Sequence, residues 1–312
     1  MAWRGVHISR ESRLRFADNQ VVVEQTDGEA RFAIEDLAWI VIDAPHVTLS
    51  STLIRACMNA GVTIVFTDET HTPNGMALPF HRHFRQGEIA RQQVEMALPL
   101  KKRLWQAIVV AKIENQAAAL GVRGRAGGST LAAAARRVRS GDPANLEARA
   151  ARYYFGRLFR DRGPGEEGGR YTREDGGDVR NKMLNYGYAI LRSGVARALT
   201  AYGFMPALGL MHASQTNAFN LADDLVEPFR PFADAMVHEL AAGGGDLRRD
   251  LAIDDRRKLA GLLLGECLAG GDRVTLLVAT ERAAESLARA MEAKSSAMLC
   301  LPALGAAAAA AR

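Results

Sequence analysis

Four residues of this 312-residue chain combine types and spacing that could do chemistry: Glu147, His212, Asp224 and Glu227. Glu147 stands in ANLEARAARYYFGRLF, in phase with Ala151, Tyr154 and Leu158 at helical steps of four, three and four, so its carboxylate is expected on a helix's apolar stripe. An inward carboxylate is costly without a partner or a cation. The alternative is a border glutamate that reaches solvent or pairs with an arginine. His212 follows an apolar approach, LGLM, and precedes a polar stretch, ASQTN. In LADDLVEPFRP, Asp224 and Glu227 are three residues apart and so share one helix face, near the start of that helix. Asp223 is turned about 100° from Asp224. Two carboxylates and an imidazole form an oxygen and nitrogen donor set that suits Mg2+ or Mn2+ and lacks the sulfur that structural zinc prefers. The competing reading has Asp223 and Asp224 favouring a helix N-terminus while Glu227 pairs with Arg230 at i+3. Spacing alone leaves both open.

The elements that must position these residues change character near residue 85. Before it, SRLRFAD alternates through Leu14 and Phe16, VVVEQ follows the turn residues Asp18 and Asn19, and Asp27-Gly28 signals a hairpin before RFAI. WIVID (39–43) and VTIVFTD (62–68) are short apolar runs of the kind buried in a sheet. Between them Ser50 or Ser51 can cap a short helix that Gly61 ends, and the HTP of residues 71–73, followed by Asn74 and Gly75, reads as a turn rather than a ligand. After residue 85 the period is helical: 88–96, 101–120 (parted by Pro99), a helix begun by Asp142-Pro143, then 181–202, 222–240, 254–269 and 280–297. GVRGRAGGST (121–130) reads as a basic glycine-rich loop, 161–178 as a mobile loop, and the alanine-rich tail 303–312 as frayed. The expected architecture is α+β: a small β domain with one short helix over residues 1–85, then a larger all-helical domain over 86–312.

Composition narrows the function classes. Hydrophobic residues make up 48% and charged residues 24%, as in a soluble globular protein, and no apolar run reaches membrane-span length. The N-terminus lacks a signal-peptide layout, and three widely spaced cysteines form neither a disulfide framework nor a zinc site, which points to the cytoplasm. The net charge is +5, but it is concentrated: Lys101, Lys102, Arg103, Lys112, Arg123, Arg125, Arg136, Arg137 and Arg139 face a single acid, Glu114, over residues 101–140. Such a segment is either a footprint for nucleic-acid phosphates or a solvated helix face with a basic loop. No Ser-His-Asp or Cys-His arrangement supplies a protein nucleophile.

Several strings together resemble the CRISPR-associated integrase family, the universal nuclease of spacer acquisition. They are TDETHTPNGMALP (67–79), LWQAIVVAKIENQA (104–117), NLEARAARYYF (145–155), LNYGYAIL (184–191) and GLMHASQTNAFNLADDLVEPFRP (209–231), together with the strands WIVID and VTIVFTD. The first is most similar to members from type II systems. The resemblance runs from about residue 5 to about residue 240. It implies that Glu147, His212 and Glu227 bind a divalent metal, Mg2+ or Mn2+, with Asp224 as a supporting acid. It also implies a β domain that dimerises and a transesterification in which the 3′-hydroxyl of a captured DNA fragment attacks a phosphodiester of a CRISPR repeat. The nine basic residues would then hold DNA. Implied partners are DNA, a second copy, a small ferredoxin-like adaptation protein in a heterohexamer, and the RNA-guided effector nuclease. The small residues Gly187, Ala189 and Gly194 would let helices crowd Glu147 and His212 toward one metal. Two rival readings are another divalent-metal phosphodiesterase, which would need more histidines in register, and a non-catalytic DNA-binding scaffold in which Glu147 and Glu227 make structural salt bridges.

Overall fold

In a computed structural model, residues 2–79, 83–159, 171–173, 176–242 and 246–305 are described. The N-terminal part contains β1 (Arg4–Ile8), β2 (Ser12–Ala17), β3 (Gln20–Gln25), β4 (Gly28–Ala33), β5 (Leu37–Ile42), β6 (Val47–Leu49), α1 (Ser51–Ala60), β7 (Thr63–Thr67) and β8 (Pro73–Ala77). They form two four-stranded sheets, ordered β1-β5-β7-β8 and β4-β3-β2-β6. Ser50 caps α1 by accepting from Leu53 N at 3.2 Å, and Gly61 ends it in a left-handed conformation, φ 74°.

All six residues of β5 are buried because the strand is a wall shared by two cores. Leu37, Ile40 and Ile42 face the core of the N-terminal part, with Leu14, Val21 and Leu53. Ala38, Trp39 and Val41 face the larger helical core. Trp39 anchors the junction by donating from Nε1 to Ala260 O at 3.1 Å. Gly5, on the neighbouring strand, makes room for that ring: a Cβ there would stand 2.1 Å from Trp39 Cε2.

The C-terminal part contains α2 (Gln86–Glu95), α3 (Leu98–Val122), α4 (Gly128–Ala135), α5 (Leu146–Leu158), α6 (Val179–Ala201), α7 (Asn220–Leu225), α8 (Arg230–Ala242), α9 (Ile253–Ala260) and α10 (Leu276–Glu292), with a 3-10 turn at Glu227–Phe229. It is not all-helical. Gly261 and Gly265 stop the expected 254–269 helix at Ala260, and β9 (Glu266–Ala269) pairs with β10 (Asp272–Thr275) across Gly270-Gly271, whose φ values of 58° and 90° suit a tight hairpin.

Other expectations also shift. The 121–130 loop shortens because α4 starts at Gly128, and the helix after Asp142-Pro143 starts only at Leu146. The turn near His71 closes before Pro73, which begins β8. The tail is not frayed from 303: Ala303 pairs with Leu268, and Leu304 is buried. Residues 306–312, and most of the 161–178 segment read as mobile, lie outside the described residues.

Candidate active site

Glu147 lies in the first turn of α5. Asp142 accepts from Leu146 N and Glu147 N, each at 2.9 Å, and so fixes where the helix begins. The Glu147 carboxylate stands at the positive end of the helix. It flanks the buried stripe of Leu146, Ala150, Tyr154 and Leu158 rather than belonging to it. Glu227 opens the 3-10 turn between α7 and α8, where Pro228 has no N–H to continue the α7 ladder.

Lys112 of α3 lies between the two carboxylates, its Nζ in contact with Glu147 Oε1 and Glu227 Oε2. Arg230 Nη2 reaches the other oxygen, Glu227 Oε1, at 3.2 Å. Burial opposes ionisation of Glu227 most strongly, but the charges of Lys112 and Arg230 outweigh it and hold the carboxyl below its ordinary value. Burial likewise works against the Lys112 ammonium, yet Glu227 and Glu147 keep its pKa above the usual lysine value.

His212 sits on the loop between α6 and α7, over Asp224. The fully buried Asp224 carboxylate accepts from Leu210 N (2.6 Å), Met211 N (3.1 Å), His212 N (3.1 Å) and His212 Nδ1 (2.7 Å). A carboxylate in such a set only accepts, so Nδ1 carries the proton and the lone pair of neutral His212 is on Nε2. That hydrogen bond is also the main cause of the raised His212 pKa. Gly209 lets the loop close, because a Cβ there would meet His212 O at 2.2 Å and Asp224 Oδ2 at 2.9 Å. Asn220 ties the loop to α7, donating from Nδ2 to Ala207 O at 3.1 Å and Ser214 O at 2.9 Å.

Asp224 and Glu227 therefore do not share one working face. Asp224 turns to the His212 loop, and Glu227, carried around by the 3-10 turn, faces Lys112 and Arg230. Asp223 faces neither: Arg192 forks onto it at 2.6 and 3.0 Å.

The donor set fits a divalent cation. Two carboxylates from different elements already converge on one positive charge, and an imidazole fixed through Nδ1 adds a nitrogen donor. Among the described residues, no three His, Cys, Asp or Glu side chains are close enough to grip a metal together.

The basic segment divides. Lys102, Arg103, Arg136, Arg137 and Arg139 are exposed, and Lys101 is partly so. The last three arginines line a cleft of about 600 Å³ beside the start of α5, with Pro143, Ala144 and Leu146. Arg123 pairs with Glu239 at 2.8 Å, and Arg125 lies 3.3 Å from His238. Lys112, expected among the DNA contacts, is buried at the carboxylates instead. Its phase with Trp105, Ile108, Val109 and Ile113 was the signal, since that is the inner face of α3.

The sequence reading also missed the supports behind Glu227. Asn115 donates to Pro228 O (2.7 Å) and Pro302 O (2.9 Å) and accepts from Leu304 N (2.9 Å). This ties the Glu227 turn to the C-terminal segment. Asp234 of α8 is buried and accepts from the Tyr188 hydroxyl, while Arg230 lies 4.9 Å over the Tyr188 ring. The small residues of α6 serve packing elsewhere: a Cβ on Gly187 would meet Ala233 at 3.2 Å, and one on Gly194 would meet Leu263 at 2.7 Å.

The family described as CRISPR associated protein Cas1 matches residues 6–255. The chain belongs to the Cas1 family. It is 37% identical over 303 residues to the CRISPR-associated endonuclease Cas1 of Neisseria meningitidis serogroup C, covering 97% of this chain and 96% of that protein. Among solved structures, a casposase bound to integration product shares the fold with a TM-score of 0.76 at 18% identity, over 94% of this chain and 91% of that one. A Cas6-RT-Cas1–Cas2 complex matches with a TM-score of 0.72 at 18% identity, over 95% of this Cas1 chain and 36% of the longer one. Among the described residues, no helix of this Cas1 is long and apolar enough to cross a membrane.

Proposed function

We propose that Glu147, His212 and Glu227 form the centre at which this Cas1-family nuclease and integrase inserts captured DNA into a CRISPR array. The observation that carries the assignment is the convergence of Glu147 and Glu227 on one positive charge, beside an imidazole whose Nδ1 is held by a buried aspartate. In the reaction a fragment's 3′-oxygen bonds to a repeat phosphorus, the phosphorus bond to the repeat's own 3′-oxygen breaks, and a new 3′-hydroxyl leaves. Water in place of the fragment's hydroxyl gives nuclease activity.

Glu147, Glu227 and His212 Nε2 would hold Mg2+ or Mn2+, which when bound polarises the phosphoryl oxygen and lowers the pKa of the attacking hydroxyl. Asp224 is a positioning residue: it keeps the His212 proton on Nδ1 and the ring in one orientation. Lys101, Lys102, Arg103, Arg136, Arg137 and Arg139 hold the DNA backbone, with Arg123 and Arg125 at the edge of that surface. Phosphate contacts of this kind give strong salt dependence and little base reading.

Residues 1–85 form the dimerisation domain, and two dimers are bridged by the small ferredoxin-like adaptation partner, in keeping with the solved complex that unites Cas1 with Cas2. The RNA-guided effector nuclease is a further partner. The three free cysteines suit a reducing cytoplasm.

Joining of a labelled fragment to a repeat-containing plasmid, in Mg2+ or Mn2+ and with or without the partner, tests the chemistry. Product is expected from a fragment ending in a 3′-hydroxyl and not from its 3′-deoxy counterpart. Equal joining of the deoxy fragment would overturn the transesterification. The Lys112 ion pairs are also what the scaffold reading requires; loss of joining on Ala substitution of Glu147, His212 or Glu227, with folding and DNA binding retained, supports the metal centre, and unchanged joining overturns it.

A further inference from the structure

Of the nine basic residues between 101 and 139, Lys112 alone is buried, at 6% exposure. An ammonium withdrawn from water is costly unless it is paired. Here its partners are Glu147 on α5 and Glu227 before α8, so one lysine on α3 neutralises and draws together two carboxylates from separate elements. Arg230 occupies the other oxygen of Glu227. With two cations against two carboxylates, the centre is electrically closed before any metal arrives.

A divalent cation on the same carboxylates would meet the Lys112 charge at contact distance, where repulsion between like charges is severe in a partly desolvated site. A lysine can relieve this without backbone movement, because its charge rides on four rotatable methylenes. The Glu147 side chain, 26% exposed against 7% for Glu227, leaves the way out on its side.

We propose that Lys112 is a tethered counter-ion that holds Glu147 and Glu227 in register and that a divalent cation displaces from them, so that Lys112 sets the metal concentration at which the centre loads. The proposal rests on the reading of Glu147, His212 and Glu227 as a metal centre. Lys112 is on this view a positioning residue, and its removal has opposite effects on the empty and the loaded protein. Without metal, Lys112→Met leaves two carboxylates facing each other and should melt below wild type. With metal, the competing charge is gone and binding should tighten.

Mn2+ binding to the full-length protein, followed by the loss of the free-ion electron paramagnetic resonance signal, tests this, with melting temperatures measured beside it. Lys112→Met should bind Mn2+ roughly tenfold more tightly than wild type, because the state able to take the ion is no longer the minor one. It should also gain more melting temperature from Mn2+. Glu147→Gln should weaken Mn2+ binding in either background. Should Lys112→Met bind Mn2+ no better than wild type while Glu147→Gln still weakens binding, the displacement is wrong and the metal centre stands. Should Glu147→Gln leave Mn2+ binding untouched, the metal reading itself fails, and the proposal with it. For the case in which Lys112→Met does not fold, the wild-type protein gives a second readout. The lysine side-chain NMR signal that is missing in Lys112→Arg should move during a Mg2+ titration with the midpoint of metal binding, and an unmoved signal overturns the proposal.

Discussion

Replacing Asp234 by Asn should make the protein more stable at neutral and alkaline pH, although Asp234 sits in a hydrogen-bonded network behind the candidate site. Its carboxyl is pushed up from an ordinary 3.8 to about 7, chiefly by burial, against the opposing Tyr188 hydrogen bond and the charges of Lys112 and Arg230. The folded protein thus binds this proton more tightly than the unfolded chain does. Between those two pH values the native state carries the extra proton, so stability falls as pH rises. At about 1.4 kcal/mol for each pH unit, that interval amounts to about 4 kcal/mol, an upper bound because neighbouring groups adjust. Asn is neutral throughout and still accepts from the Tyr188 hydroxyl. In urea unfolding of both proteins from pH 4 to pH 8, the difference should grow from near zero at the acid end to as much as about 4 kcal/mol at pH 8, in favour of Asp234→Asn. Parallel stability curves, or a variant less stable than wild type at pH 8, would refute the reasoning.

Other perturbations probe the junction, the Glu227 support and the DNA surface. Gly5→Ala drives a methyl into the Trp39 ring and strains its bond to Ala260; about 1–3 kcal/mol of stability should be lost in thermal melts, more if the ring is expelled. Asn115→Ala strands the carbonyls of Pro228 and Pro302 and the Leu304 amide, at about 1–3 kcal/mol for each group that stays buried. It should lower the melting temperature and slow joining more than it weakens DNA binding. Replacing Arg136, Arg137 and Arg139 together by Ala should flatten the dependence of log DNA affinity on log salt by up to about 3, at about 0.9 per lost phosphate contact, and an unchanged slope would place the DNA elsewhere.

Much of the fold is legible from local pattern, and the exceptions have physical causes. The continuous apolar run of β5 signalled burial on both faces, and Ser50 with Gly61 marked the bounds of α1. The β9–β10 hairpin was hidden because its few apolar residues, Leu268 and Ala269 among them, also fit a helical continuation; the Gly270-Gly271 pair was the overlooked cue. At the site, the inward tendency of Glu147 was visible in its phase, off by one position from the stripe that is buried. Spacing alone could not separate Asp224 from Glu227, because helical geometry holds only until Pro228 turns the chain. Lys112 was misplaced for the opposite reason: counting charge along the chain overrode the helical phase that put it inside. Asn115 and Asp234 act through contacts 113 or more residues away or through a neighbouring helix, which no local pattern carries.

The most direct measurement is strand transfer by Glu147→Gln in Mn2+, with DNA affinity and melting temperature taken on the same preparation. The substitution keeps the shape of the side chain and removes its charge. Joining reduced roughly 100-fold or more, with DNA bound as tightly as by wild type and the fold intact, is the expected result. Joining at the wild-type rate by a folded Glu147→Gln protein would contradict the assignment of this centre as the site of chemistry.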